Sequence, residues 1–384
     1  MVSAAGLGPP GTEGVCRPAI SGRRAAHPEG LGPVEKIGYL ARPDAVHLQA
    51  LLHHSGRASR ASGISASHVF MNRDAALLAL LSAALFGAST PAAKALLGAI
   101  DPTILAGLLC CGAGIGVAFL RHFRQRYIAS PRAAEVALCG KDWPWLLGVI
   151  LAGGIIGPVL LMLGLTHTDA AAASLLLALE GVATALMAWF IFHENFNRRI
   201  ALSMACLIAG AVVLTWSRQP SLASVAAPMA IVGACIAWGL DNNLTRKVSL
   251  SDPLQIVELK GLIAGPVNLL LGFSVGGDLP GWSALAAAAL IGFLGYGVSL
   301  ALFVRALRHL GTARTAAYFS TAPFFGTIVA IAFLREPLTL QLIAAGLMMA
   351  IGAWLHLTKQ HEHGHVHEPM QHAHPQSPTR APSG

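Results

Sequence analysis

Glu180 stands alone in "SLLLALEGVATALMAWFIF", residues 174–192, a run whose other members suit the interior of a lipid bilayer. It lies about ten residues from either end of its stretch, roughly 15 Å of helical rise, too deep for its side chain to reach water. Charged residues at that depth cost about 2.5 to 3.5 kcal/mol on insertion scales, so they face a cavity or a partner. A carboxylate so placed can take up and release a proton as a coupling group, or hold a cationic cargo. The structural alternative is a protonated glutamic acid bonded between helices.

Asp241, Asn242 and Asn243 follow one another in "IAWGLDNNLTRK". Three consecutive polar residues inside a helix project over most of its circumference, which predicts local unwinding or a water-lined face. Asp241 has three candidate partners: Arg246, Lys247, and Lys94 across the chain. The alternative ends the helix one turn earlier and leaves the three in a loop. Lys94, like Glu258 and Lys260 in "VELKG", sits close enough to a helix end for its stem to snorkel to the interface. Glycines cluster in "LAGGIIGP" (Gly153, Gly154, Gly157) and "IGFLGYG" (Gly292, Gly295, Gly297), where they permit tight crossing or bending.

Near the C-terminus, His361, His363, His365, His367, His372 and His374 crowd "QHEHGHVHEPMQHAHPQ". Imidazole suits zinc, nickel or copper, and a flexible tract can bring several nitrogens to one ion. No cofactor is expected beyond a divalent metal on this tail. Catalysis is not expected: "FHENF" is not HExxH, because position 197 is Asn, and His167 and Asp169 have no nucleophile near them in sequence. The six cysteines form no CxxC pair and read as packing residues.

The elements that must position these groups are membrane helices. Of 384 residues, 54% are hydrophobic and 11% charged, far from the balance of a soluble chain. The formal net charge of +8 is scattered between apolar runs with no basic stripe, which excludes nucleic acid as a partner and points to topology. Residues 1–70, rich in Gly, Pro, Ser, Arg and His, are expected to be a disordered tail, with Met71 as an alternative start. Ten apolar stretches follow, at 74–97, 102–120, 143–165, 170–192, 199–216, 225–247, 254–275, 282–304, 312–334 and 338–357. If the first enters from the cytoplasm, inner connections hold Arg121, Arg124, Arg126, Arg132, Lys141, Arg198, Arg199, Arg246, Lys247, Arg305 and Arg308. Outer ones hold only Arg218 and Arg335. That bias puts both termini in the cytoplasm and the chain in the cytoplasmic (inner) membrane.

An internal repeat divides the stretches. An offset of 142 (336 minus 194) sets "LTHTDAA…FHENFNRR" over "LRHLGTA…LREPLTLQ", pairing His167 with His309 and Glu194 with Glu336. An offset of 152 pairs Gly87 of "ALFGASTPAAK" with Gly239 of "AWGLDNNLTRK", and Lys94 with Arg246. Five helices per unit is odd, so the second unit must lie inverted in the membrane. The units are 74–216 and 225–357, followed by a His-rich cytoplasmic tail at 358–384.

The aromatic-Gly pair early in each unit, the "HENFNRR" and "LREPLT" junctions and the late glycines resemble two EamA repeats of the drug/metabolite transporter superfamily. That resemblance implies an all-α polytopic fold of ten transmembrane helices in a 5+5 inverted repeat. It implies a path lined by the first, third, fourth, sixth, eighth and ninth helices, which places Trp238, Tyr296, Tyr318 and Phe319 on path helices. Pro323 fits the family habit, whereas Glu180-Gly181 at the aligned place departs from it. The implied function is secondary transport of a small metabolite by alternating access, with export as the expected direction and a proton as candidate coupling ion. Amino acids, nucleosides and amphipathic amines are the candidate cargoes. Divalent metal efflux fed by the tail is the alternative, and a non-transport membrane scaffold the third reading. Expected partners are the small-molecule substrate and the lipid bilayer, and the pattern is compatible with a homodimer.

Overall fold

The computed structural model describes residues 73–127, 140–192, 197–216, 222–245, 252–310 and 312–357. Among them there is no strand. A backbone in lipid must satisfy its own polar groups, and the helix does so within one segment. In chain order the helices are α1 (Arg73–Leu96), α2 (Pro102–Tyr127), α3 (Trp143–Thr166), α4 (Ala170–Ile191) and α5 (Arg198–Thr215). The second set is α6 (Leu222–Thr245), α7 (Pro253–Ser274), α8 (Trp282–Leu310), α9 (Arg314–Leu334) and α10 (Leu340–Leu357). Among the described residues, nine of these helices are long and apolar enough to cross a membrane; α10 carries a shorter apolar stretch, Leu340–Leu355. The chain is a multi-pass membrane protein. Helix α2 runs on past the expected boundary at 120 and α8 past 304, because both end in amphipathic, arginine-bearing turns that extend beyond the apolar run.

The two halves share their local devices. Asp101 Oδ1 accepts from the backbone N–H of Thr103 at 2.9 Å just before Pro102 opens α2. Asp252 Oδ1 accepts from Leu254 N at 2.9 Å just before Pro253 opens α7. Cap plus proline at the first position is a strong helix start. Asn197 Oδ1 accepts from Ile200 N at the start of α5, and Thr339 Oγ1, 142 positions later, accepts from Leu342 N at the start of α10. Mid-helix distortions also repeat. Helix α3 widens into a π turn over Ile150–Ile156 and α8 over Phe293–Val298. Helix α4 breaks at Leu177–Ala178 and α9 at Ser320–Thr321.

Packing shows how the halves are related. Along α2 and α7, Ile104 lies against Gly272, Gly107 against Leu269, Cys111 against Gly265 and Gly114 against Gly261. Numbers rise on one helix as they fall on the other, so the pair is antiparallel. The same holds for α5 and α10, where Gly210 meets Met349 and Leu207 meets Gly352, and for α4 and α9, where Ala171 O accepts from Thr327 Oγ1 and Ser174 meets Gly326. A two-fold axis along the helices would leave equivalent helices parallel. Antiparallel equivalents require an axis across them, which is an inverted repeat. Small residues hold these contacts, since close backbone approach replaces the hydrophobic force that lipid removes.

Candidate functional site

The break in α4 makes the site. Glu180 N donates to Leu177 O at 3.0 Å and Ala178 N to Leu175 O at 3.0 Å, three-residue closures in place of the four-residue ladder. Glu180 therefore stands in the first turn of a new helical segment, Leu179–Phe192, and not in mid-helix as the sequence suggests. A carboxylate there faces the positive end of the segment's dipole. The Leu176 carbonyl, bypassed by the break, accepts from Cys235 Sγ of α6 at 3.5 Å.

Helix α6 supplies the partner. Asn242 Nδ2 donates to Glu180 Oε1 at 2.8 Å and to Thr184 Oγ1 at 3.2 Å, while Thr184 Oγ1 donates to the Glu180 carbonyl at 2.8 Å. Asn243 Nδ2 donates to Thr184 O at 3.1 Å and Gly239 O at 2.8 Å. The register that permits this comes from Gly239: a Cβ there would lie 2.9 Å from Thr184 N. Its repeat partner Gly87 does the same work on the other side, where a Cβ would lie 2.1 Å from Ala322 O and 2.9 Å from Gly326 N.

These groups line a cavity of about 580 Å³ between the halves. Its wall includes Glu180, Asn242, Asn243, Thr184, Ser174 and Thr90 among polar residues, with Phe86, Phe303, Phe319 and Trp189 among the aromatics. Phe319 packs against Phe86 with ring centroids 5.2 Å apart and against Phe303 at 5.1 Å. The volume suits a small-molecule ligand.

The expected site residues divide into two groups. Glu180, Asn242 and Asn243 meet at the cavity. Asp241 does not join them: the helix stays wound to Thr245, with no local unwinding, and the next position along it turns away. Its partner among the described residues is Lys260 of α7, and not Lys94. That ion pair lies against Gly153 in the π turn of α3. Around it, Trp238 Nε1 donates to Gly153 O at 3.1 Å and Asn268 Nδ2 to Gly154 O at 2.9 Å, satisfying carbonyls that the π turn loosens. Lys94 caps a helix end instead of lining a path: its ammonium donates to the Leu165 and Thr166 carbonyls at the end of α3. Tyr296 stands behind the cavity wall, edge-on to Phe86 at 5.7 Å, and Tyr318 lies half-buried beside Phe319. His361, His363, His365, His367, His372 and His374 lie outside the described residues, as do Glu194, Arg246 and Lys247. Among the described residues, no three His, Cys, Asp or Glu side chains group to hold a metal ion.

The sequence reading missed Thr184 and Ser174. Thr184 was within reach, since it lies four residues after Glu180 and hence on the same helix face. Ser174 gives no such signal, because the intervening break alters its phase.

Comparison with known proteins agrees with this architecture. The family model described as "EamA-like transporter family" matches twice, over residues 74–216 and 226–358. An "Uncharacterized transporter" of Methanothermobacter thermautotrophicus is 27% identical over 299 residues, covering 74% of this chain and 87% of its own length. An "Uncharacterized transporter YvbV" of Bacillus subtilis is 24% identical over 291 residues, covering 75% of this chain and 92% of its own. One solved crystal structure, 17% identical, superposes with a TM-score of 0.54 over 74% of this chain and 96% of that one, a likeness of fold alone. With two matches that fall on two antiparallel halves around one cavity, the chain belongs to the EamA-like transporter family.

Proposed function

We propose that the protein is a secondary active exporter that moves a small metabolite by alternating access, with Glu180 as the group that carries a proton or meets the cargo. The observation that carries this reading is the cavity between two inverted halves with a carboxylate at the broken helix in its wall. Inverted repeats enclosing a site built on interrupted helices are the architecture through which rocking of one unit against the other exposes a site to each side in turn. Glycine contacts between α1 and α9 and between α6 and α4 give that motion smooth surfaces. The proposal includes residence in the cytoplasmic membrane with both termini inside, supported by the arginine and lysine bias of the connections.

Reconstitution into liposomes holding a pH-sensitive dye tests it. A metabolite panel is presented to the native protein and to Glu180→Gln. The native protein is expected to move protons when cargo is added, and the variant to lose at least about tenfold of that flux, the scale of removing one charge-assisted contact. Equal proton movement in both would remove Glu180 as the coupling group.

A further inference from the structure

We infer that the cargo is recognised through a primary ammonium group on an apolar, preferably aromatic, body, and that zwitterionic amino acids are rejected; this rests on the transport reading above.

The cavity's polar atoms are one-sided. Glu180 Oε1 takes the Asn242 amide, while Oε2 receives no hydrogen bond from another described residue. The Asn243 side chain is 1% exposed, and its amide orientation is fixed because Nδ2 faces two carbonyls, Thr184 O and Gly239 O. Its Oδ1 is thereby left buried with no partner. Ser174, also 1% exposed, leaves its hydroxyl buried and unpartnered. Both residues line the cavity with Glu180. Buried polar atoms in native proteins are satisfied in the working state, and orphaned ones mark a place where something else bonds. Of the two orphaned atoms, Asn243 Oδ1 can only accept, and Glu180 Oε2 adds a further acceptor to the same wall. Ser174 and Thr184, whose carbonyl holds the Asn243 amide, stand ten residues apart on α4, so these groups are spread along the wall, and an ammonium, with three N–H donors and no acceptor, suits its Glu180 end.

Charge gives the same answer independently. None of the described residues lining the cavity is Lys, Arg or His. The cationic side chain of neighbouring α7, Lys260, is already held by Asp241. The carboxylate therefore has no counter-charge of its own in the cavity, and a cationic ligand supplies one. A ligand carboxylate would meet like charge with nothing to answer it, which builds rejection into the site. The rest of the wall is apolar, with Phe86, Phe303 and Phe319 offering ring faces to an aromatic body or to the cation itself.

The test uses phenethylamine, its zwitterionic counterpart phenylalanine and its uncharged counterpart 2-phenylethanol. Full-length protein is purified for radiolabelled phenethylamine binding and reconstituted for counterflow of each solute. Phenethylamine is expected to bind and to exchange, with phenylalanine and 2-phenylethanol at least about tenfold weaker as competitors. Glu180→Gln should lose at least about tenfold in amine affinity, and Asn242→Ala, which removes the amide that holds the carboxylate, roughly threefold to tenfold. Thermal melting of each variant shows that it is folded, and the Asn242 variant keeps the test alive should the Glu180 one unfold. Counterflow of phenylalanine or 2-phenylethanol without the amine overturns this inference and leaves the transport reading standing. Amine binding that depends on Glu180 without any flux supports the inference and removes the transport reading. Amine affinity unchanged in folded Glu180→Gln overturns it outright.

Discussion

Asp241 and Asn242 are neighbours in sequence and serve different walls, because one residue along a helix is a turn of about 100°. Asn242 reaches Glu180 of α4, while Asp241 reaches Lys260 of α7 beside the π turn of α3. The Asp241–Lys260 pair is largely buried, with side-chain exposures of 9% and 23%. Removing one member of a buried pair strands the other charge, typically at about 3 to 5 kcal/mol, whereas replacing both is close to neutral. Asp241→Leu and Lys260→Met are each expected to lower the melting temperature in detergent, and the double variant to recover most of the loss. A double variant as unstable as the sum of the singles would show that the two do not act as a pair. The sequence announced Asp241 by placing a carboxylate in an apolar helix, but it offered Arg246, Lys247 and Lys94 as partners. Lys260 was hidden because the choice depends on how α6 registers against α7, which spacing along one helix does not encode. Glu180 was legible for the opposite reason: mid-bilayer cost singles out an acid whatever it touches.

At the scale of elements, the legible features are those written in local chemistry. Asp101-Pro102 and Asp252-Pro253 open equivalent helices, and the apolar runs set their lengths. The break at Leu177–Ala178 and the two π turns were not legible, since their loosened carbonyls are satisfied by donors from other helices, such as Cys235, Trp238 and Asn268. Glycines lie between the two cases: the offset of 152 pairs Gly87 with Gly239, and only packing shows what they do. Both let a helix of one half lie on the broken helix of the other, at Ala322 and Thr184 respectively. Gly87→Ala puts a methyl 2.1 Å from a backbone oxygen, so the helices must part. A loss of about 1 to 3 kcal/mol is expected, as for overpacked cores, together with loss of flux. Gly181→Ala, in the same cavity, has nothing within 4 Å of the added atom and gains helix propensity worth up to about 1 kcal/mol. Its melting temperature should hold or rise; a drop matching that of Gly87→Ala would mean that steric contact is not what Gly87 serves.

For the whole molecule, side-chain ties sort the helix ends into two sets. Lys94 bonds the end of α3, Glu336 receives both Ala170 N and Ala171 N at 2.7 Å, and Gln341 Nε2 reaches the Val213 and Trp216 carbonyls. Those contacts, with Gly277 packed against Ile104 and Asp101, bring the connections after α1, α3, α5, α7 and α9 to one end. At the other, Arg121 bridges Asp252 at 3.2 Å and Glu258 at 2.5 Å, joining the far end of α2 to the start of α7. The end that holds Arg121 is also the one where arginine and lysine accumulate in the connections, so charge and geometry agree on a single vertical arrangement. Positive residues resist translocation, so the proposed orientation puts that end in the cytoplasm. Cysteines placed singly at Asp278 and Thr339, both exposed in connections of the first set, should react with a membrane-impermeant maleimide in intact cells. A cysteine at exposed Arg198, in the second set, should react only after permeabilisation. The reversed pattern would turn the molecule over, and labelling of all three from outside would break the inverted arrangement on which alternating access depends.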